Sequence, residues 1–149
     1  VNRHGGAVVE FNGDGMLAVF GAPTLLERKE QAAVLAGIEI VHTVRVRTGT
    51  GEQHAGHGGS VGVGIATGPA FVGNIQAVDR KIWSAIGNTT NLAARFQALT
   101  RDLGASIVID EATRSAAESA ADFAGHEGTR IRGLSEPQTV YALRFDPGN

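Results

Sequence analysis

Gly6–Gly21, GAVVEFNGDGMLAVFG, sets Asp14 at the tip of a tight turn between two apolar runs. Asn12-Gly13 and Asp14-Gly15 are pairs that accept positive φ, and the flanks Val8-Val9-Phe11 and Met16-Leu17-Ala18-Val19-Phe20 read as buried strands, so a β-hairpin is predicted. A carboxylate held on a rigid hairpin suits a hard cation such as Mg²⁺, which takes one or two carboxylates together with substrate phosphates. The plainer alternative is that Asp14 simply makes the turn, a common use of Asp.

Downstream of the hairpin, Leu25–Arg47 spaces Val34, Ile38 and Val41 as an amphipathic helix does, with Leu26 and Ala33 on neighbouring turns. Thr48–Ser60, TGTGEQHAGHGGS, has no apolar period and reads as a loop, in which His54 and His57 have no third partner and are given no role. Val61–Ile65 and Ala70–Gly73 read as strands whose glycines leave room for a close ligand backbone. Neither the dinucleotide fingerprint nor the Gly-Lys-Ser/Thr phosphate loop is completed there. Lys81–Ile86 is a further strand. Asn88 or Thr89 then caps a helix with Leu92, Phe96, Leu99 and Leu103 on one face and Gly104 at its end. Ser106–Asp110 reads as a strand, Glu111–Ala121 as a helix, and Arg130-Ile131 and Thr139–Phe145 as strands about a Glu136-Pro137 turn. Hairpin connections among mixed elements predict an α+β fold, with helices layered on a largely antiparallel sheet.

The chain of 149 residues is 42% hydrophobic, which fits one domain with a real core. It has no cysteine, which excludes disulfides and thiolate chemistry and agrees with a reducing compartment. No apolar run approaches the length of a membrane span. A net charge of −2 with interspersed signs argues against nucleic acid as a partner.

A second informative stretch is Ile86–Phe96, IGNTTNLAARF. Asn91 and Arg95, four apart, share a helix face beside the Leu92/Phe96 stripe, near a helix N-terminus that favours anions. The guanidinium fork suits phosphate oxygens, although a surface Arg with an Asn neighbour is also an ordinary arrangement.

Taken in order, GGAVVEFNGDGMLAVFGAP, VGVGIATGPAFVGNI and IGNTTNLAARF resemble the catalytic domain of the class III adenylate/guanylate cyclases over nearly the whole chain. The resemblance implies a ferredoxin-like α+β fold and head-to-tail homodimers with active sites shared between subunits. It implies conversion of a nucleoside triphosphate, ATP first, to the 3′,5′-cyclic monophosphate and pyrophosphate, in intracellular signalling. Two Mg²⁺ or Mn²⁺ ions are held in that family by two Asp residues, the second of which Asp14 matches. Asn91 matches the residue that positions the ribose and Arg95 the one that stabilises the transition state. Arg132, in Arg-Ile-Arg-Gly, lies where the family places a phosphate-contacting Lys.

Departures from the family pattern sharpen these expectations. The first metal-binding Asp lies on an opening strand that the given residues do not include, so the chain is expected to be an N-terminally truncated catalytic domain, inactive alone and without its upstream regulatory domain. Its expected location is cytoplasmic. Glu10 and Ser84 stand where adenylate cyclases commonly have Lys and Asp or Thr. Guanine presents donors at N1 and N2 and an acceptor at O6, which suits a carboxylate and a hydroxyl, so a guanylate cyclase stays open beside the adenylate reading. The alternative for Glu10 is a salt-bridged strand-end residue. Asn88 and Trp83 replace the more usual Asp and Tyr without changing the expectation. A catalytically inactive, cyclase-like dimerisation or regulatory domain is the remaining alternative.

Overall fold

The computed structural model describes residues 1–48, 60–77, 79–117 and 120–145. A short 3-10 turn, Asn2–His4, leads into the hairpin of β1 (Ala7–Asn12) and β2 (Gly15–Val19). Asn12 pairs with Gly15 across a two-residue turn, Gly13-Asp14, and Gly13 adopts φ 63, so the turn forms where the Asn-Gly signal predicts it. The strands are less buried than their sequence implies: Phe11 is 77% and Met16 42% exposed. The hairpin is a two-stranded sheet of its own, so no neighbouring strand covers its distal half among the described residues. Its other end is packed, with the Phe20 ring lying over Gly6.

α1 runs from Lys29 to Thr48, four residues later than the apolar spacing suggests, and Leu25 stands outside it at 92% exposure. Most of the predicted glycine-rich loop, with His54 and His57, lies outside the described residues. β3 (Val63–Ile65), β4 (Phe71–Ala77), β5 (Arg80–Ile86), α2 (Asn88–Leu103), β6 (Ile107–Ile109), α3 (Glu111–Ala116), β7 (Ala124–Thr129) and β8 (Gln138–Leu143) follow. β3, β6, β8 and β7 form the main sheet in that order, parallel between β3 and β6 and antiparallel elsewhere. β4 and β5 make a separate antiparallel ribbon, and β1 packs against β5. The α+β class and its largely antiparallel pairing are those expected.

The alternation of β6 explains why helices lie on both faces of the main sheet. Ile107 and Ile109 join Val41 of α1 in one core, whereas Val108 joins Phe96 of α2, Ile131, Val140 and Ala142 in the other. All three β6 residues are fully buried. Gly64 of β3 serves this packing, so at that position helix backbone stands where a ligand backbone was expected. A Cβ on Gly64 would stand 2.1 Å from the Ala93 carbonyl oxygen and 2.3 Å from the Gln97 nitrogen, so the backbone of α2 itself takes the space.

Three local expectations also change. Neither Asn88 nor Thr89 caps α2: Gly87 is the N-cap residue, with no side-chain cap, and the Thr89 hydroxyl donates instead to the Pro69 carbonyl at 2.6 Å. Gly104 closes the helix in the left-handed conformation, as predicted. The strand placed at Arg130-Ile131 is displaced to Ala124–Thr129, whose AGHEGT sequence lacks apolar alternation because it is a mostly exposed edge strand. α3 ends at Ala116 rather than reaching Ala121. Among the described residues no helix is long and apolar enough to cross a membrane.

Candidate active site

Asp14 projects from the tip of the β1–β2 hairpin and is exposed. Glu10, also exposed, follows a register shift in β1 between Val8 and Glu10. Ser84 is half-buried on β5, opposite Gly73 of β4, so the packing of β1 against β5 joins the two strands that carry Glu10 and Ser84. Asn91 and Arg95 lie on the first two turns of α2, Asn91 exposed and Arg95 half-buried.

Arg132 is exposed in the turn that follows β7, closed by a hydrogen bond from the Leu134 nitrogen to the Ile131 carbonyl oxygen at 3.0 Å. Arg95 packs on this turn, with its guanidinium against the backbone of Gly133. The fold therefore brings together Arg95 and the turn bearing Arg132, residues 37 positions apart in sequence. It makes no hydrogen bond or ion pair from Asp14 to Asn91 or Arg95 among the described residues.

The six residues share one property. Among the described residues, no side-chain hydrogen bond or ion pair engages Glu10, Asp14, Ser84, Asn91, Arg95 or Arg132. The salt-bridged role considered for Glu10 is therefore not found. Polar groups whose bonding capacity is unspent within the chain are available to an external ligand. For a divalent cation, Asp14 is a fitting oxygen donor but a single one: among the described residues no group of three or more His, Cys, Asp or Glu could enclose a metal.

A different polar cluster is engaged within the chain. Asp110 caps α3, its Oδ1 accepting from the Thr113 nitrogen at 2.9 Å and from the Thr113 hydroxyl at 2.5 Å. Its Oδ2 accepts from the Thr67 nitrogen at 3.1 Å, which ties the end of β3 to α3. The cluster has a legible trace in the sequence, since Asp-x-x-Thr before a helix is a capping signal. Next to it, the Tyr141 hydroxyl donates to Glu111, and Arg114 lies over the Tyr141 ring at 4.9 Å. The Tyr141 and Ser115 hydroxyls hold the Glu111 carboxyl below the usual range, and Glu111 in turn raises the Tyr141 phenol.

The comparisons with known proteins agree with this architecture. The family model described as the adenylate and guanylate cyclase catalytic domain matches residues 1–144. An uncharacterized protein of Mycobacterium tuberculosis is 33% identical over the whole chain, which spans 26% of that protein. Adenylate cyclase 1 of Rhizobium meliloti is 24% identical over 96% of this chain and 22% of its own length. The chain thus spans about a quarter of the curated relatives it matches. Among solved structures, the guanylyl cyclase Cya2 matches with a TM-score of 0.79 and 28% identity over 99% of this chain and 75% of that one. The adenylyl cyclase CyaB from P. aeruginosa matches at 0.81 and 26%, over 97% and 74% respectively.

Proposed function

We propose, for a chain that belongs to the family of adenylate and guanylate cyclase catalytic domains, that it is the greater part of a catalytic domain that converts ATP to 3′,5′-cyclic AMP and pyrophosphate. In this reaction the ribose 3′-oxygen forms a bond to the α-phosphorus, the bond from that phosphorus to the β-phosphate oxygen breaks, and the hydroxyl proton leaves to solvent. The observation that carries the reading is the seating of Arg95, its donors unspent among the described residues, on the turn that bears Arg132. Two cations near the N-terminal half of a helix suit the oxygens of a triphosphate.

In this reading Arg95 steadies the charge that develops as pyrophosphate departs, Arg132 holds the outer phosphates, and Asn91 orients the ribose so that its 3′-oxygen lies in line for attack. Asp14 supplies one carboxylate to Mg²⁺ or Mn²⁺, which when bound neutralises phosphate charge and acidifies the 3′-hydroxyl. The sites are shared across a head-to-tail homodimer, Asp14 acting from one subunit and Asn91 and Arg95 from the other.

A guanylate cyclase is the second reading, favoured by the Glu10 carboxylate, unpaired among the described residues, and by the half-buried Ser84 hydroxyl. The shared site is tested by complementation in the full-length protein. Asp14→Ala and Arg95→Ala variants, each inactive alone, are expected to regain part of the activity when mixed, through one intact interface per heterodimer. Mixed dimers without regained activity would overturn the sharing.

A further inference from the structure

The seat of Arg95 is made by the absence of a side chain. Gly133 has φ +87, and a Cβ placed on it would stand 2.7 Å from Arg95 Nη2 and 2.9 Å from both Nη1 and Cζ. The guanidinium therefore fills the volume that any other residue at this position would claim. It rests there without a hydrogen bond or ion pair among the described residues. Both partners are anchored from below. Phe96, which follows Arg95, and Ile131, which opens the turn, are buried in the same core cluster at 1% and 3% exposure. With the turn and the helix both anchored, the guanidinium, the free end of a flexible side chain, is the group that yields to a Cβ at position 133.

We infer that Gly133 is the positioning residue for Arg95, keeping open the slot that seats its guanidinium beside the Arg132 turn with all its donors free for an oxyanion. The inference rests on the proposed cyclase reading for the identity of that anion, a nucleoside triphosphate. A guanidinium fixed by ion pairing would spend donors on its own anchor, whereas one fixed by a glycine slot spends none. Any side chain at position 133 swings Arg95 away from the turn and separates the two cations.

The test is a double-variant cycle in the full-length protein, read by cyclic nucleotide formation and by the Kd for inorganic tripolyphosphate. Gly133→Ala is expected to lower kcat by about 10²-fold, the loss typical of removing one preorganised charge stabiliser, and to weaken tripolyphosphate binding about tenfold. In an Arg95→Ala background, where the slot is already empty, the same substitution is expected to change either readout by less than about twofold. A purely structural role for Gly133, through its backbone conformation, would multiply with the loss of Arg95, and full multiplicative losses would overturn the inference. Because φ +87 strains Ala whether or not Arg95 is present, Gly133→Asn, which carries a Cβ and tolerates positive φ, takes its place in the same cycle should Gly133→Ala fail to fold, and full multiplicative losses there overturn the inference. Wild-type protein that binds tripolyphosphate but forms no cyclic nucleotide would remove the cyclase reading and leave the Kd cycle to decide on Gly133. Wild-type protein that does neither would overturn both.

Discussion

Gly64 of β3 lies directly under Ala93 of α2, so close that a Cβ on the glycine would stand 2.1 Å from the Ala93 carbonyl oxygen. This contact fixes the height of α2 above the sheet, and α2 carries Asn91 and Arg95. Gly62 extends the contact by one further turn, where a Cβ would stand 2.3 Å from Thr100 Oγ1. Gly64→Ala is expected to cost about 1–3 kcal/mol by overpacking, which for a chain of this size lowers Tm by roughly 2–12 °C. Thermal unfolding checks it, and an unchanged Tm would show that the helix rides freely over β3.

Arg95→Ala should behave in the opposite way. With no bond to lose among the described residues, its Tm is expected to stay within a few degrees of wild type while turnover falls by about 10²-fold or more. Turnover near that of wild type would remove Arg95 from the chemistry.

Base selection is expected to depend on Glu10. Glu10→Lys replaces an acceptor by a donor, and leaving a polar edge of guanine unpaired costs about 1–3 kcal/mol. The ratio of kcat/KM for ATP over GTP is therefore expected to rise about tenfold or more. Parallel kinetics with the two nucleotides check this, and an unmoved ratio would place Glu10 away from the base.

The Glu111–Tyr141 pair has a defined pH window. The lowered Glu111 carboxyl contributes stability above the ordinary Glu value of about 4.3, lost as pH falls, and the raised Tyr141 phenol contributes below about 10, lost as pH rises. Tyr141→Phe keeps the ring beneath Arg114 and removes the hydroxyl. It is expected to lower Tm slightly at pH 7, and by progressively less as pH falls below the ordinary Glu value. Equal differences above and below that value would assign the effect to packing.

Much of this protein is legible in its sequence where local chemistry dictates structure. Asn12-Gly13 and Asp14-Gly15 specify the hairpin, and the Leu92/Phe96/Leu99/Leu103 stripe with Gly104 specifies α2 and its end. What sequence leaves hidden depends on distant partners. Phe11 and Met16 look like core residues because pattern alone does not reveal that, among the described residues, their sheet has two strands. β7 is missed because an exposed edge strand needs no apolar alternation. The site residues are readable as residue types at a spacing, but the meeting of Arg95 with Gly133 is a tertiary fact. The glycine after Arg132 was its one visible trace.

Cyclic nucleotide formation by the full-length protein, with ATP and GTP supplied in parallel and Mg²⁺ or Mn²⁺ present, tests the central claim most directly. Cyclic AMP and pyrophosphate in equal amounts from ATP, lost in Arg95→Ala, is the expected result. No cyclic product from either nucleotide, in a folded dimer, would contradict the account and leave a cyclase-like domain with another role.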